Sequence, residues 1–321
     1  MILSVSTRWN AYRHTSGEAM IGEIIDLGLS NVELGYDLPN SLLPGVRKMA
    51  GNGAISITSL HAFCPVPAGA PYASPELFTL ADPDRQVRSL AVQHMGDTVM
   101  LASELGVSTV VAHAGNVDMR NLTRQLITMC EEGQQFSPKY DKIKDKLLLD
   151  RHRKAHKQIQ FLYESLDALL PILQKANVSL ALENLPSWES IPSEIEMEKL
   201  LGHFQSPHIR YWHDIGHAEL RQTLGLIGHI SWLERLRPYL AGMHVHDVLR
   251  PARDHIMPPA GNIDFKLFRP FLNGRIPAVL EAYPDVAPGE IRNAVSLLTS
   301  LWKEDQATAG ADKSNSLVVG S

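Results

Sequence analysis

Six side chains that can bind a metal or move a proton, His61, His113, Glu183, Asp214, His246 and Glu281, each close a short apolar run. A carboxylate that ends a buried strand must be paired or metal-bound, because an isolated buried charge is far too costly. Glu183 follows Val-Ser-Leu-Ala-Leu, Glu281 follows Ala-Val-Leu and Asp214 follows Tyr-Trp-His, so the same reasoning applies three times. Two Glu, one Asp and one imidazole form the mixed oxygen and nitrogen set that suits Mn²⁺, Mg²⁺, Co²⁺ or Zn²⁺ and leaves positions open for substrate. The expected set is Glu183, Asp214, His246 and Glu281 on one divalent cation, with His61 and His113 as neighbouring groups or further ligands.

Residues so far apart in sequence need a fold that gathers strand ends. Eight β-branched or apolar runs, at 2–6, 31–34, 54–61, 108–113, 178–183, 209–214, 241–246 and 277–281, alternate with longer helical patterns. That alternation predicts a parallel sheet with helices packed outside it. Gly28, Gly106 and Asn177 mark helix ends. Eight strands predict closure into a (β/α)₈ TIM barrel of α/β class, in which the polar strand ends form one ring at the top face. No G-x-G-x-x-G or Walker loop follows an early strand, which argues against a doubly wound open sheet. The barrel is expected over 1–302 as a single domain, and 303–321, small and polar with no period, as a flexible tail. Three long segments, 65–83, 116–140 and 248–262, follow strands, where a barrel places its active-site loops. The Pro-rich segment 65–83 is expected to cover the site.

Composition bounds the partners. A hydrophobic fraction of 44%, a charged fraction of 20% and a net charge of −5 describe a globular chain with no field that would draw nucleic acid. No window reaches the ~20 apolar residues of a membrane span. The basic stretch 139–157 is interleaved with Asp141, Asp145 and Asp150 and reads as a solvated helix face. Two cysteines, Cys64 and Cys130, form no C-x-x-C pair. The N-terminal Met-Ile-Leu-Ser-Val-Ser-Thr lacks a basic n-region. The expectation is a cytoplasmic enzyme with a small-molecule substrate; a homo-oligomer stays open.

The segments Leu182-Glu183-Asn184, His213-Asp214-Ile215-Gly216-His217, Met243-His244-Val245-His246-Asp247, Gly261-Asn262-Ile263-Asp264-Phe265 and Leu280-Glu281-Ala282 carry a specific resemblance. In order and spacing the chain resembles the xylose isomerase-like TIM-barrel superfamily, which holds sugar and sugar-phosphate isomerases and epimerases as well as endonuclease IV. Similarity to the ketose 3-epimerases implies Glu183, Asp214, His246 and Glu281 as metal ligands, with Glu183 and Glu281 as the catalytic base and acid. It implies His217 and Glu189 as substrate contacts. An Arg expected six residues beyond the ligand His falls on Ala252, which leaves Arg250 and Arg253 as the substrate contacts of that loop. His61 is a further candidate substrate group, and Trp9, Phe63 and Trp188 are candidates to pack against a sugar's apolar face. Similarity to endonuclease IV implies instead that His61 and His113 hold a second zinc, and His217, Asp254 and His255 a third. The first reading is a metal-dependent isomerase or epimerase that moves a proton at carbon on a sugar, sugar phosphate or polyol. The alternative is a multi-metal phosphodiester hydrolase.

Overall fold

In a computed structural model, residues 1–303 except 273 are described; the predicted tail at 303–321 therefore lies, but for its first residue, outside the described residues. The barrel strands are β1 (Ile2–Ser6), β2 (Asn31–Leu34), β3 (Ser56–His61), β4 (Thr109–Ala112), β5 (Ser179–Glu183), β6 (Ile209–Asp214) and β7 (Leu240–Val245). A short antiparallel hairpin, β8 (Asp247–Leu249) and β9 (Arg253–Ile256), precedes the last barrel strand, β10 (Pro277–Leu280). The barrel closes in the order β1-β10-β7-β6-β5-β4-β3-β2, all parallel. The eight predicted runs are these eight barrel strands, with ends displaced by two residues at most. The hairpin was not foreseen.

Helices α1 (Gly17–Ile25), α2 (Leu43–Gly51), α3 (Arg85–Glu104), α4 (Thr123–Glu131), α5 (Pro138–Ala176), α6 (Glu194–Phe204), α7 (Ile215–Thr223), α8 (His229–Leu236) and α9 (Pro288–Trp302) follow in chain order. Helix α5 carries the basic stretch and ends where Asn177 turns left-handed, at φ 53°. Among the described residues no helix is long and apolar enough to cross a membrane.

Period-two alternation sorts each strand into two faces. Val110, Leu180, Leu182, Met243, Val245 and Leu280 belong to the large cluster shared with the helices, whereas Val111, Ala181, Trp212 and Val279 form a separate small cluster that fills the barrel's interior. The Trp212 indole needs room inside that ring. Gly242 on the adjacent strand provides it, since a Cβ there would sit 2.1 Å from the indole. Two residues beyond these interior apolar positions come His113, Glu183, Asp214 and Glu281. The packed plug therefore becomes the floor under a polar ring.

Candidate metal centre and catalytic cavity

Glu183 is the hub of that ring. Its Oε1 lies 3.3 Å from His244 Nδ1 and 3.4 Å from His217 Nδ1, and its Oε2 lies 3.3 Å from His61 Nε2 and 3.4 Å from His113 Nε2. His244 Nδ1 is also 3.9 Å from Asp214 Oδ2 and 3.7 Å from Glu281 Oε2. Glu183, Asp214, His244 and Glu281 are all buried, and each presents a ligand atom within 4.8 Å of the others. Asp214 is fixed from two sides: its backbone N–H and C=O bond the side-chain amide of Asn184, and its carboxylate caps α7 by accepting the His217 N–H at 2.7 Å.

The imidazole that clusters with these three carboxylates is His244, where the expected set had His246; His246 groups with His217 and His255, with its Nε2 3.0 Å from Asp214 Oδ1. Both project inward from β7 or its end, two residues apart, so periodicity does not choose between them. Strand register does: a bulge between Tyr211 and Trp212 sets Asp214 opposite His244. Hydrogen bonding then assigns the protons. His244 Nε2 lies 3.2 Å from Glu33 Oε2, an acceptor only, so the proton sits on Nε2 and the Nδ1 lone pair faces the three carboxylates. That Nδ1 is buried and has no hydrogen-bond partner among the described residues. His246 is wired the opposite way. Its Nδ1 accepts the His255 backbone N–H at 2.9 Å, which leaves the proton on Nε2, 3.0 Å from Asp214 Oδ1. Gly216 admits the His246 ring so closely that a Cβ there would lie 2.0 Å from it.

An orphaned lone pair amid three carboxylates fits a divalent cation, with Glu33 behind the imidazole as the outer carboxylate. The electrostatics agree. Burial resists ionisation of Glu183 and Glu281, but the charge of His244 and its neighbours holds both well below the usual carboxylate range. Burial likewise opposes charge on His244, yet Glu33, Glu183 and Glu281 raise it well above the ordinary histidine value, so without an ion Nδ1 also favours a proton, whose place a bound cation would take. The site demands positive charge. Glu33→Gln is expected to weaken divalent-ion affinity by about 10- to 100-fold while the barrel stays folded, because the imidazole loses its orienting acceptor; ion titration of the variant checks this.

Two other imidazole groups adjoin the quartet. In the first, His61 Nδ1 donates to the Ala62 carbonyl at 3.0 Å, its Nε2 lies 3.3 Å from Glu183 Oε2, and His113 stands beside it. Burial disfavours charge on His113, but Glu183 and Glu76 outweigh it and push the imidazole up to about 9. The second group, His217, His246 and His255, has its ligand atoms within the same compass. Asp254 lies on the hairpin, 3.5 Å from His255 Nδ1 through Oδ2.

The quartet opens into a cavity of about 470 Å³ whose walls include Glu183, His217, Glu281, His113, Asp254 and His255. The Pro-rich segment 65–83 reaches this cavity through Pro75 and Glu76, and the 116–140 segment through Asn116, Val117, Met119 and Asn121. Both come where post-strand loops were expected.

Several expected substrate contacts are placed elsewhere. Trp9 is fully buried and donates through Nε1 to the Val286 carbonyl. Phe63 packs in the core against Phe78 and His94. The Trp188 ring lies under the guanidinium groups of Arg151 and Arg221. Arg250 pairs with Glu219 away from the cavity, and Arg253 lines a different, smaller recess. Glu189 borders the cavity, but its two oxygens accept from Leu122 N, Thr123 N, Thr123 Oγ1 and Ser187 Oγ, which ties down the start of α4 instead of leaving a carboxylate for a sugar hydroxyl. Conversely, Arg8, Tyr36, Tyr283, Glu76, Glu33 and His244 were missed. Glu33 could have been found, since it is a carboxylate inside an otherwise apolar strand run. Arg8 and Tyr283 stand beside strand ends but carry no motif.

No curated protein matches the chain. A D-tagatose 3-epimerase-like protein superposes with a TM-score of 0.68 at 16% identity, over 94% of this chain and 97% of that one. The 3-keto-D-glucoside 4-epimerase of E. coli gives 0.66 at 12% identity, over 94% and 99%. D-psicose 3-epimerase of Clostridium cellulolyticum H10 gives 0.65 at 12% identity, over 94% and 100%. At such identities the likeness establishes the fold. The family model for the xylose isomerase-like TIM barrel matches residues 24–300, and the chain belongs to that family.

Proposed function

We propose that this protein is a divalent-metal-dependent isomerase or epimerase that moves a proton at carbon on a sugar, sugar phosphate or related polyol. The observation that carries the reading is the pair of buried carboxylates, Glu183 and Glu281, on either side of the His244 Nδ1 lone pair at the floor of a cavity sized for a small molecule. The epimerases named above act on sugars and share the barrel, which supports the substrate class. Asp214, His244, Glu183 and Glu281 would hold the ion, which supplies Lewis-acid polarisation of a carbonyl and so acidifies the adjacent C–H. Glu183 and Glu281 then remove and return the proton from opposite faces. Glu281 is kept ionised as a base by His244 and His255 and, to a smaller extent, by Arg8, whose Nη1 donates to Oε1 at 3.0 Å. His217 donates Nδ1–H to the Asn184 carbonyl at 3.1 Å, which fixes the ring with Nε2 available to a substrate hydroxyl.

One observation favours a second reading. His61 Nε2 and His113 Nε2 both lie within 3.4 Å of Glu183 Oε2, so these three residues would hold a second ion, which would supply the activated water that phosphodiester hydrolysis needs. Counting ions by anomalous scattering, together with exchange of substrate C–H for solvent deuterium across ketoses and their phosphates, separates the two. One ion per chain with exchange on a ketose is the expected result. Two full ions, no exchange on any sugar and turnover of a phosphodiester would replace the first reading with the second.

A further inference from the structure

Arg8 is the only Lys or Arg among the described residues that line the catalytic cavity. Its guanidinium lies over the rings of Tyr36 at 5.3 Å and Tyr283 at 4.8 Å, and the side chain is only 18% exposed. Two aromatic faces and one hydrogen bond to Glu281 thus hold a planar, permanently charged fork in a fixed orientation. Glu281 is the one carboxylate within ion-pair distance of it among the described residues, and it engages Nη1. Fixing Glu281 requires a single donor, whereas the guanidinium offers five in a geometry matched to an oxyanion. The opposite wall is also biased toward donors. The side-chain carbonyl of Asn121 accepts from Arg124 N, so its amide N–H group is the end this bond leaves unspent.

We propose that the substrate carries an oxyanion, a phosphate ester or a carboxylate, and that Arg8 binds it. The proposal rests on the metal-centre reading, because Glu76, Glu183, Glu189, Asp254 and Glu281 in the same cavity outnumber one arginine and would repel an anion unless a bound cation offset them. Arg8 then decides between charged and neutral substrates of one skeleton, while the metal centre acts on the same carbon in both.

The test compares the metal-loaded wild type with Arg8→Met and Arg8→Lys, with ion content measured in each. Inorganic phosphate is titrated by calorimetry, and kcat/KM is measured on a free ketose, its phosphate and the corresponding sugar acid. Phosphate affinity is expected to fall by about 10- to 100-fold in Arg8→Met at unchanged ion content, and less in Arg8→Lys, which keeps the charge but loses the fork. Turnover of every substrate will drop through Glu281, but the preference for the charged one is expected to shrink by a further factor of about 10 to 100. Which oxyanion the wild type prefers identifies phosphate or carboxylate. Equal losses on charged and neutral substrates, with phosphate affinity unchanged, would leave Arg8 as a positioning residue for Glu281 and overturn the proposal. If no sugar is turned over, the isomerase reading fails, and the phosphate titration still decides the role of Arg8.

Discussion

Glu183→Gln is expected to lower kcat by at least about 10³-fold and to empty the metal centre, with the barrel still folded. Removing a general base alone costs about 10²- to 10⁴-fold. Here the same carboxylate also faces four imidazoles, His244 and His217 through one oxygen and His61 and His113 through the other. Gln has the shape of Glu but offers one neutral carbonyl in place of two anionic oxygens, so it can neither bind the ion strongly nor take a proton. The fold is expected to persist, because the interior apolar layer of Val111, Ala181, Trp212 and Val279 lies below the site and does not depend on its charge. Elemental analysis, circular dichroism and turnover measured on one preparation check this. A variant with a full complement of ion and activity within tenfold of wild type would remove Glu183 from the centre of the scheme.

The second large effect is a contrast between two histidines two residues apart. His244→Ala is expected to reduce divalent-ion affinity by more than about 100-fold, beyond the range typical of losing an outer-sphere partner. His246→Ala is expected to change it by less than about tenfold. The difference follows from where the protons sit. Glu33 takes the Nε2–H of His244 and turns its Nδ1 lone pair inward, whereas the His255 backbone N–H occupies Nδ1 of His246 and leaves its Nε2–H to donate to Asp214. Ion titrations of the two variants decide the matter. If His246→Ala lost the ion and His244→Ala kept it, the ligand would be the one expected from strand-end position, and the register argument would be wrong.

Much of this architecture is legible in the residues themselves, for local reasons. Period-two alternation, helix-ending Gly28, Gly106 and Asn177, and the cost of an unpaired buried carboxylate are properties of short segments, so eight barrel strands and three of the four quartet residues could be read without coordinates. That His244 rather than His246 clusters with the three carboxylates could not, because it depends on a bulge in β6 that slides one strand against another, and strand register is a relation between two segments. The same holds for the aromatic residues. Trp9 and Trp188 have the composition of a sugar platform, but Trp9 is swallowed by the core and Trp188 is stacked on two arginines that lie distant in sequence. Glu189 has the spacing of a substrate ligand, yet its oxygens are consumed by a loop some 66 residues earlier in the chain. Arg8 entered no sequence argument at all. Its role comes from Glu281, 273 residues away, which closure of the barrel between β1 and β10 brings to within a hydrogen bond. Sequence determines which groups are costly enough to need a partner; the closed sheet, by register and shear, decides which partner each one meets.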